Sequence, residues 1–264
     1  MKISIIIPLY NSKDTILNTI NSVLGQTYQD PIEIIIVNDG SNDGCEKLVE
    51  NIIVKNTTNR IIRLVNKING GVSSARNKGV VESSGDWVGF LDSDDIWLPE
   101  KLEKQMTEIE KNPTIDFIGT NKDLIKYPFY QKSQNKIYTL NVKEILSKWH
   151  PHTSTVLINK DLFLKVGLYD ESRTHAEDGD LLLRIANYCT LFVLNESLVY
   201  TGDGKRSFGE SGLSADMSKM FKGEVLALKG AKRRGQINTL EYFGFYIWLS
   251  TKYLRRIIII SDSK

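Results

Sequence analysis

Cysteine, proline and histidine are scarce in this 264-residue chain, which has two, six and three of them, respectively. The two cysteines, Cys45 and Cys189, provide no disulfide framework and no paired-cysteine metal site, which favours a reducing cytoplasm. No uninterrupted apolar run approaches the roughly 18 residues of a membrane-spanning helix. The apolar run Ile3–Ile7 is too short for a signal peptide and ends at Pro8. These scarcities predict a cytoplasmic protein without a spanning helix.

Charge of one sign is also lacking, since 34 basic and 32 acidic residues give a net charge of +2. Such a balance produces no strong overall field, so we expect no nucleic-acid partner. With 41% hydrophobic and 25% charged residues, the composition excludes a disordered or fibrous chain. The sequence contains neither GxGxxG after its first strand nor GxxxxGK[ST] anywhere. Their absence argues against a dinucleotide oxidoreductase and against a P-loop NTPase.

The first 120 residues alternate between apolar, β-branched runs and amphipathic segments. Strands are predicted at 3–7, 32–37, 61–65 and 87–91. Helices are predicted at 12–24, where Ser12 can cap, at 72–83 and from Pro99 to about 111. Repeated βα units predict an α/β fold with a mainly parallel, Rossmann-like sheet flanked by helices. Beyond these, a strand at 155–159, a helix at 178–188, a strand at 191–194 and a helical C-terminal extension from 213 are predicted.

Polar residues gather where three of the predicted strands end, in Pro8–Asn11, Asn38–Ser41 and Asp92–Asp95. Ligands of open α/β sheets bind outside the carboxyl ends of the strands. In extended backbone Asp92 and Asp94 would point to one side and Ser93 to the other. Paired carboxylates with a phosphate suit a hard cation such as Mg²⁺ or Mn²⁺. The same residues also suit ordinary turns, and Asp94 or Asp95 could instead cap the helix near Pro99.

The segments Pro8–Asn11, Val37–Gly44, Gly70–Gly79 and Phe90–Asp95 together resemble the motifs of family 2 of the inverting glycosyltransferases. The resemblance covers about residues 1–200 and implies a GT-A fold. It further implies transfer of a sugar from a nucleotide sugar, first of all a UDP-sugar, with Mn²⁺ or Mg²⁺. The implied acceptor is a hydroxyl of a lipid-linked glycan, as in bacterial polysaccharide, lipopolysaccharide or O-antigen biosynthesis.

The same resemblance assigns roles to individual residues. The implied donor-binding residues are Pro8, Tyr10, Asn11, Asp39, Arg76, Asp92, Ser93 and Asp94. Among them, the residues implied to hold the nucleotide base are Pro8, Tyr10 and Asp39. Asp94 is the implied main metal ligand, with Asp92 beside it near the ribose. Glu177 and Asp178 match the acceptor-side acidic pair, with Asp178 as the general base. Without the resemblance, this pair could simply favour the N-terminus of its helix.

The resemblance also implies a division of the chain and leaves some features open. Residues 1–212 would form the catalytic domain, with a nucleotide-binding half at about 1–120 and an acceptor-binding half at about 121–212. Residues 213–264 would form the extension. No histidine follows His175 to complete a metal site, so Asp203, Lys205, Arg206, phosphate or water remain candidates. The Gln-x-x-Arg-Trp motif of processive relatives is missing, which predicts a single addition. His150 and His152 lie where acceptors enter in this family, and zinc is disfavoured because the pair lacks thiolate partners.

Aromatic residues alternate with bases in the segment 242–260, which includes Lys252, Arg255 and Arg256. This pattern suits either a membrane–water interface or a helix docked on the catalytic domain. The first option would give a cytoplasmic protein with peripheral contact at the inner face of the cell membrane. Rival functions are a polyprenyl-phosphate sugar synthase of the same fold, a nucleotidyltransferase, and a non-catalytic module that binds sugar nucleotides.

Overall fold

The computed structural model describes residues 1–123, 135–147, 151–202 and 215–261. The strands of this part are β1 (Ile3–Leu9), β2 (Ile32–Asn38), β3 (Ile61–Asn66), β4 (Trp87–Phe90), β5 (Ile96–Trp97), β6 (Phe117–Lys122), β7 (Ile137–Leu140), β8 (Leu157–Asn159) and β9 (Leu191–Tyr200). Its helices are α1 (Ile16–Leu24), α2 (Cys45–Lys55), α3 (Val72–Glu82), α4 (Lys101–Lys111), α5 (Val142–Leu146), α6 (Lys160–Val166), α7 (Glu177–Ile185), α8 (Met217–Arg233) and α9 (Thr239–Ser261). A short 3-10 helix spans Thr153–Thr155.

Among the described residues, the strands form one sheet in the order β3-β2-β1-β4-β8-β6-β9-β5, with β7 also paired to β9. The block β3-β2-β1-β4 is parallel throughout, and β6 and β9 are parallel to each other. β8 joins these two blocks through antiparallel pairings to β4 and β6. Because β1, β2 and β4 run in one direction, their carboxyl ends meet at one edge of the sheet. The predicted fold class is confirmed.

Alternation along β1 sends side chains to both faces of the sheet, and each face carries a hydrophobic core. Ile3, Ile5 and Ile7 belong to a core that also includes residues of α1, α2 and α4. Ile6 belongs to a second core, shared with α3, α6, α7, α8 and α9. Every residue of β1 and β2 is buried, as their continuous apolar sequence predicts. The sheet is thus the middle layer between two layers of helices.

Several helix boundaries differ from the sequence-based expectations. Helix α1 begins at Ile16 and not at Ser12, because the Ser12 carbonyl accepts the N–H groups of Thr15 and Ile16 in a turn. The Ser12 hydroxyl does not cap the helix; it pairs with the Ser93 hydroxyl at 2.7 Å. Helix α2 was not predicted, and neither were β6, α5 and α6. The signal for α2 was present, since its apolar residues recur at helical spacing: Cys45, Leu48, Val49, Ile52 and Ile53.

The extension from 213 is helical where it is described, as expected, and α8 and α9 pack against each other. The Phe221 ring stacks on Tyr253 at 4.8 Å between centroids, and Arg256 donates to Glu224 at 3.2 Å. On the far side of α9, Leu240, Ile247 and Ile258 are 82%, 63% and 59% exposed. Within the described ranges, no helix combines the length and apolar content that crossing a membrane requires.

Candidate active site

The carboxyl ends of β1, β2 and β4 open into a cavity of about 640 Å³. Nine of the ten residues predicted for the site line it: Pro8, Tyr10, Asp39, Arg76, Asp92, Ser93, Asp94, Glu177 and Asp178. Strand ends and α3 contribute the first seven, and the start of α7 contributes the last two. The fold therefore brings together residues that lie up to 170 positions apart in the sequence.

Asn11 is the predicted site residue that is not among those lining this cavity. Its side-chain oxygen accepts the Asn42 N–H at 2.9 Å, and its own N–H donates to the Ser41 hydroxyl at 3.1 Å. Its φ of 48° lies in the left-handed region, which asparagine tolerates better than most residues. In this structure Asn11 joins the loops that follow β1 and β2.

Tyr10 and Asp39, the residues predicted to hold the base, have very different surroundings. Tyr10 is 53% exposed, so a face of its ring is open to a stacking partner. Asp39 is buried, and its two carboxylate oxygens accept the N–H groups of Gly70 and Gly71 at 2.9 and 2.8 Å. Lys67 donates to the same carboxylate. Asp39 therefore shapes the 67–71 loop, and its predicted contact with the base stays a prediction.

Arg76 is buried beneath the cavity and joins its two groups of acids. Its guanidinium donates to Asp92 at 2.7 Å and to Glu177 at 3.0 Å, and it lies 5.2 Å from the ring centroid of Tyr169. Burial alone would lower the pKa of Arg76, but Asp92, Tyr169 and Glu177 outweigh it and raise that pKa. Burial would likewise raise the pKa of Asp92, but the charge of Arg76 lowers it. Arg76 is thus a fixed cation whose guanidinium donates to carboxylates of both acidic groups.

The acidic segment after β4 is a turn, and the extended backbone expected from the sequence is wrong. The Asp95 N–H donates to the Asp92 carbonyl at 3.0 Å and closes the turn. The Ser93 carbonyl accepts hydroxyl groups of Thr15 and Thr19 at 2.7 and 3.0 Å. Asp92 and Asp94 still both line the cavity. A turn tied to α1, and not strand alternation, accounts for that arrangement.

Asp95 and His152 also line the cavity, although the sequence indicated no catalytic or binding role for Asp95 and placed His152 only where acceptors enter. The Asp95 carboxyl is buried, accepts the Ser154 hydroxyl and the Gly202 N–H, and lies 3.5 Å from His152 Nδ1. Burial and the nearby charge of Asp92 raise the pKa of Asp95 to about 8. Burial lowers the pKa of His152 to about 4, which leaves its imidazole neutral at pH 7. The chain places these residues 57 positions apart, so no local pattern could have paired them.

A divalent cation fits this part of the cavity. Ligand atoms of Asp92, Asp95 and His152 lie within 4.8 Å of one another, and Asp94 lines the same cavity. Two carboxyl groups and a neutral imidazole are a donor set that Mn²⁺ accepts, and the carboxyl groups also suit Mg²⁺. The other proposed ligands, Asp203, Lys205 and Arg206, lie outside the described residues, as does His150.

Glu177 and Asp178 begin α7 directly after Ala176, whose φ of 56° and ψ of 30° are left-handed. Burial and the charge of Asp178 raise the pKa of Glu177. Asp178 accepts the N–H of Gly179 at 2.7 Å. Both acids line the cavity as well as starting the helix. Acidic residues from two elements, the turn after β4 and the start of α7, therefore line the same cavity.

Comparison with known proteins agrees with this fold. The profile described as "Glycosyl transferase family 2" matches residues 4–167. An uncharacterised glycosyltransferase of Rickettsia typhi is 31% identical over 254 residues, covering 87% of this chain and 76% of that protein. One from Haemophilus influenzae is 33% identical over 215 residues, covering 78% and 70%. The chain belongs to glycosyltransferase family 2 and is a transferase.

Two solved structures are similar in fold. S. aureus TarS 1-349 in complex with UDP-GlcNAc gives a TM-score of 0.69 at 20% identity, covering 93% of this chain and 70% of that one. The mannosyltransferase PcManGT from Pyrobaculum calidifontis, in complex with GDP-Man and Mn²⁺, gives 0.70 at 18% identity, covering 95% and 69%. This likeness identifies the fold as GT-A.

Proposed function

We propose that this chain moves one sugar from a nucleoside-diphosphate sugar to a hydroxyl of a lipid-linked glycan, with a UDP-sugar as the first candidate donor. The observation that carries the proposal is one cavity lined both by the strand-end acids Asp92 and Asp94 and by the helix-start acid Asp178. A volume of about 640 Å³ is in the range of small-molecule sites. Inverting transfer needs a donor site and an acceptor base in one such space.

The donor nucleotide is proposed to bind at the ends of β1 and β2. The half-exposed ring of Tyr10 would stack on the base, and Pro8 and Asp39 would border it. Asp39 keeps accepting capacity beyond its bonds to the 67–71 loop, because each carboxylate oxygen has two lone pairs. The similar structures hold UDP-GlcNAc and GDP-Man, which supports this class of donor.

The donor diphosphate is proposed to lie over the turn after β4. Asp94 would be the main metal ligand and Asp92 the second, with Ser93 in the same wall of the donor site. Asp95 and His152 are the candidates for further ligation, because their ligand atoms lie within 4.8 Å of those of Asp92. Mn²⁺ or Mg²⁺, when bound, would offset charge on the departing diphosphate. Arg76 adds a fixed positive charge beneath Asp92.

Asp178 is proposed as the general base. Its carboxylate would take the acceptor hydroxyl proton while the hydroxyl oxygen bonds to the anomeric carbon and the bond to the diphosphate breaks. One such displacement inverts the anomeric configuration. Glu177 accepts a hydrogen bond from Arg76 at 3.0 Å, and this bond would keep the acceptor-binding residues at a fixed distance from the donor-binding residues. Residues 1–120 would then serve mainly the donor, and residues 121–212 the acceptor.

The lipid-linked acceptor places the proposed reaction at the cytoplasmic face of the cell membrane, in polysaccharide or O-antigen assembly. Peripheral contact would use the face of α9 that does not pack on α8. That face carries Leu240, Phe243, Ile247, Leu254 and Ile258, all exposed, and Arg255 at its border. Large apolar side chains with a neighbouring base suit a lipid headgroup region.

The test is a thermal-shift screen of UDP-, GDP- and dTDP-sugars with and without Mn²⁺, followed by a product assay with a lipid-linked acceptor. Metal-dependent stabilisation and release of a nucleoside diphosphate would support the proposal. Release of pyrophosphate would instead identify a nucleotidyltransferase. Donor binding without turnover would identify a non-catalytic module. Undiminished transfer to a polyprenyl phosphate by Asp178→Asn would identify the polyprenyl-phosphate sugar synthase.

A further inference from the structure

Helix α8 touches the turn before the acidic pair through a residue without a side chain. A Cβ added at Gly223 would lie 2.3 Å from the His175 carbonyl oxygen, 2.9 Å from its carbonyl carbon and 3.2 Å from the Ala176 Cβ. Real Cβ atoms do not approach other atoms at 2.3 Å, and a backbone carbonyl cannot rotate away as a flexible side chain can. Only glycine lets α8 come this close to the turn.

The turn itself is strained at the point of contact. Ala176 is left-handed, a conformation that is unfavourable for a residue with a Cβ. Such residues persist only where the surrounding structure determines them, and they cluster at functional sites. Ala176 is also the N-cap of α7, so its backbone sets the direction in which Glu177 and Asp178 leave the turn.

Helix α8 is itself held firmly behind this contact. Asp216 caps its first turn by accepting the Lys219 N–H at 3.0 Å. The buried Glu224, next to Gly223, accepts from Arg256 of α9 at 3.2 Å. Met220, one turn before Glu224, reaches the cavity wall. The helical extension is therefore part of the site's scaffold and not an appendage to it.

We propose that Gly223 is a positioning residue for transfer: its close contact with His175 and Ala176 holds the left-handed turn that aims Asp178 into the cavity. This inference rests on the proposed role of Asp178 as base. It assigns to the extension a function in the chemistry, in addition to any contact with a membrane.

The test compares two alanine variants in the same helix. Gly223→Ala must displace the turn, whereas a Cβ at Gly230 would meet only the Arg234 guanidinium at 3.0 Å, the movable end of a long side chain. Both changes raise helix propensity equally, so Gly230→Ala is a matched control. The assay is hydrolysis of UDP-GlcNAc and GDP-mannose with Mn²⁺, together with thermal shifts by each donor.

Gly223→Ala should lower kcat at least about tenfold, since a displacement of 1 Å in a site can cost about 100-fold. The KM and thermal shift for the donor should stay at wild-type values, and Gly230→Ala should match wild type throughout. Equal kinetics of the two variants, or loss of donor binding along with kcat in Gly223→Ala, would overturn the inference. Should Gly223→Ala not fold, Ala176→Val decides, because a β-branched residue disfavours the left-handed conformation of the turn far more than alanine does. Unchanged kcat in Ala176→Val would then overturn it.

A readout without turnover separates this inference from the proposed function. The ¹³C carboxylate signals of Glu177 and Asp178, assigned with Glu177→Gln and Asp178→Asn, should shift in Gly223→Ala and not in Gly230→Ala. Wild-type protein that hydrolyses neither donor, together with these shifts, would contradict the proposed function alone. Unshifted signals in Gly223→Ala would contradict the positioning role whatever the activity.

Discussion

Arg76 of α3 donates a hydrogen bond to Glu177 of α7 at 3.0 Å, across 101 positions of sequence. The same guanidinium binds Asp92 of the acidic turn at 2.7 Å. Burial disfavours the charged form of both carboxylates, so each depends on Arg76 for a compensating positive charge. One buried cation thus fixes the distance between the proposed donor and acceptor sides of the cavity.

Replacing Arg76 should destabilise the protein more than replacing a surface arginine. Arg76→Met leaves two carboxylates without their cation and should lower the free energy of unfolding by about 3–5 kcal/mol. Arg63→Met removes a pair with Glu82 at 2.8 Å whose side chains are 42% and 28% exposed, and should cost less than about 1 kcal/mol. Urea unfolding of both variants measures the difference. Equal costs would contradict a central structural role for Arg76.

Asp94→Asn should remove the dependence of donor binding on metal. The amide loses the charge that attracts a divalent cation, while its size keeps the turn after β4. The measurement is the thermal shift produced by UDP with and without Mn²⁺. Glu46→Gln is the control, because Glu46 belongs to a separate acidic group with Asp43 and Cys45. A full Mn²⁺ effect in Asp94→Asn, or its loss in Glu46→Gln, would count against the assignment.

Asp178→Asn should keep the fold and donor binding but lose transfer. A general base contributes about 10²–10⁴-fold to a rate, so kcat should decrease by a factor in that range. Asp161→Asn is the matched control, since Asp161 is likewise an acid in the first turn of a helix, α6, but does not line the cavity. An unchanged kcat for a hydroxyl acceptor in Asp178→Asn would eliminate Asp178 as the base.

Asp92 and Asp95 show which features of the site could be predicted from the sequence and which could not. The motif containing Asp92 and Asp94 is contiguous and follows an apolar strand, so its place at the sheet edge follows from general rules of α/β folds. The burial of Asp95 depends on Ser154 and Gly202, which approach it from distant segments. No sequence pattern near Asp95 indicates those partners. Contacts between distant segments, as at Gly223 and His175, are the part that needed the structure.

Glu33 should stabilise the fold and leave the proposed activity untouched. It lies at the start of β2, away from the cavity, and accepts from the Ser4 hydroxyl and from the N–H and hydroxyl of Ser84. Burial would raise the pKa of Glu33, but these bonds and Lys2 lower it below the usual value of 4.5. The stabilisation is therefore complete above the pKa of the unfolded carboxyl and is lost as pH falls through the lower folded pKa.

Glu33→Gln should lower the free energy of unfolding at pH 7 by about 1–3 kcal/mol, the cost of hydrogen bonds to a charged group. The difference from wild type should shrink below the unfolded pKa. Urea unfolding at pH 7 and in acid tests both statements, and Glu50→Gln, an exposed acid of α2, serves as control. A difference that grows in acid would show that the sign is wrong.

The exposed face of α9 allows a sharper test of membrane contact than the sequence did. The bases Arg255 and Arg256 look equivalent in sequence, but Arg256 pairs with the buried Glu224, so reversing its charge would disturb the packing of α8. Arg255 is exposed and can be changed alone. Each base near an anionic surface contributes about 1 kcal/mol, so Arg255→Glu should weaken vesicle binding on the order of tenfold or more.

Co-sedimentation with vesicles containing phosphatidylglycerol, at low and high salt, measures this binding. Ile247→Asn should also weaken it, because Ile247 is 63% exposed at the centre of the apolar face. Lys47→Glu makes the same charge change on α2, which packs into the core on the opposite face of the sheet, and should bind as wild type does. High salt should weaken wild-type binding, since it screens the surface potential. Equal binding of Arg255→Glu and Lys47→Glu, or a wild-type dimer that forms through this face without vesicles, would contradict membrane contact by α9.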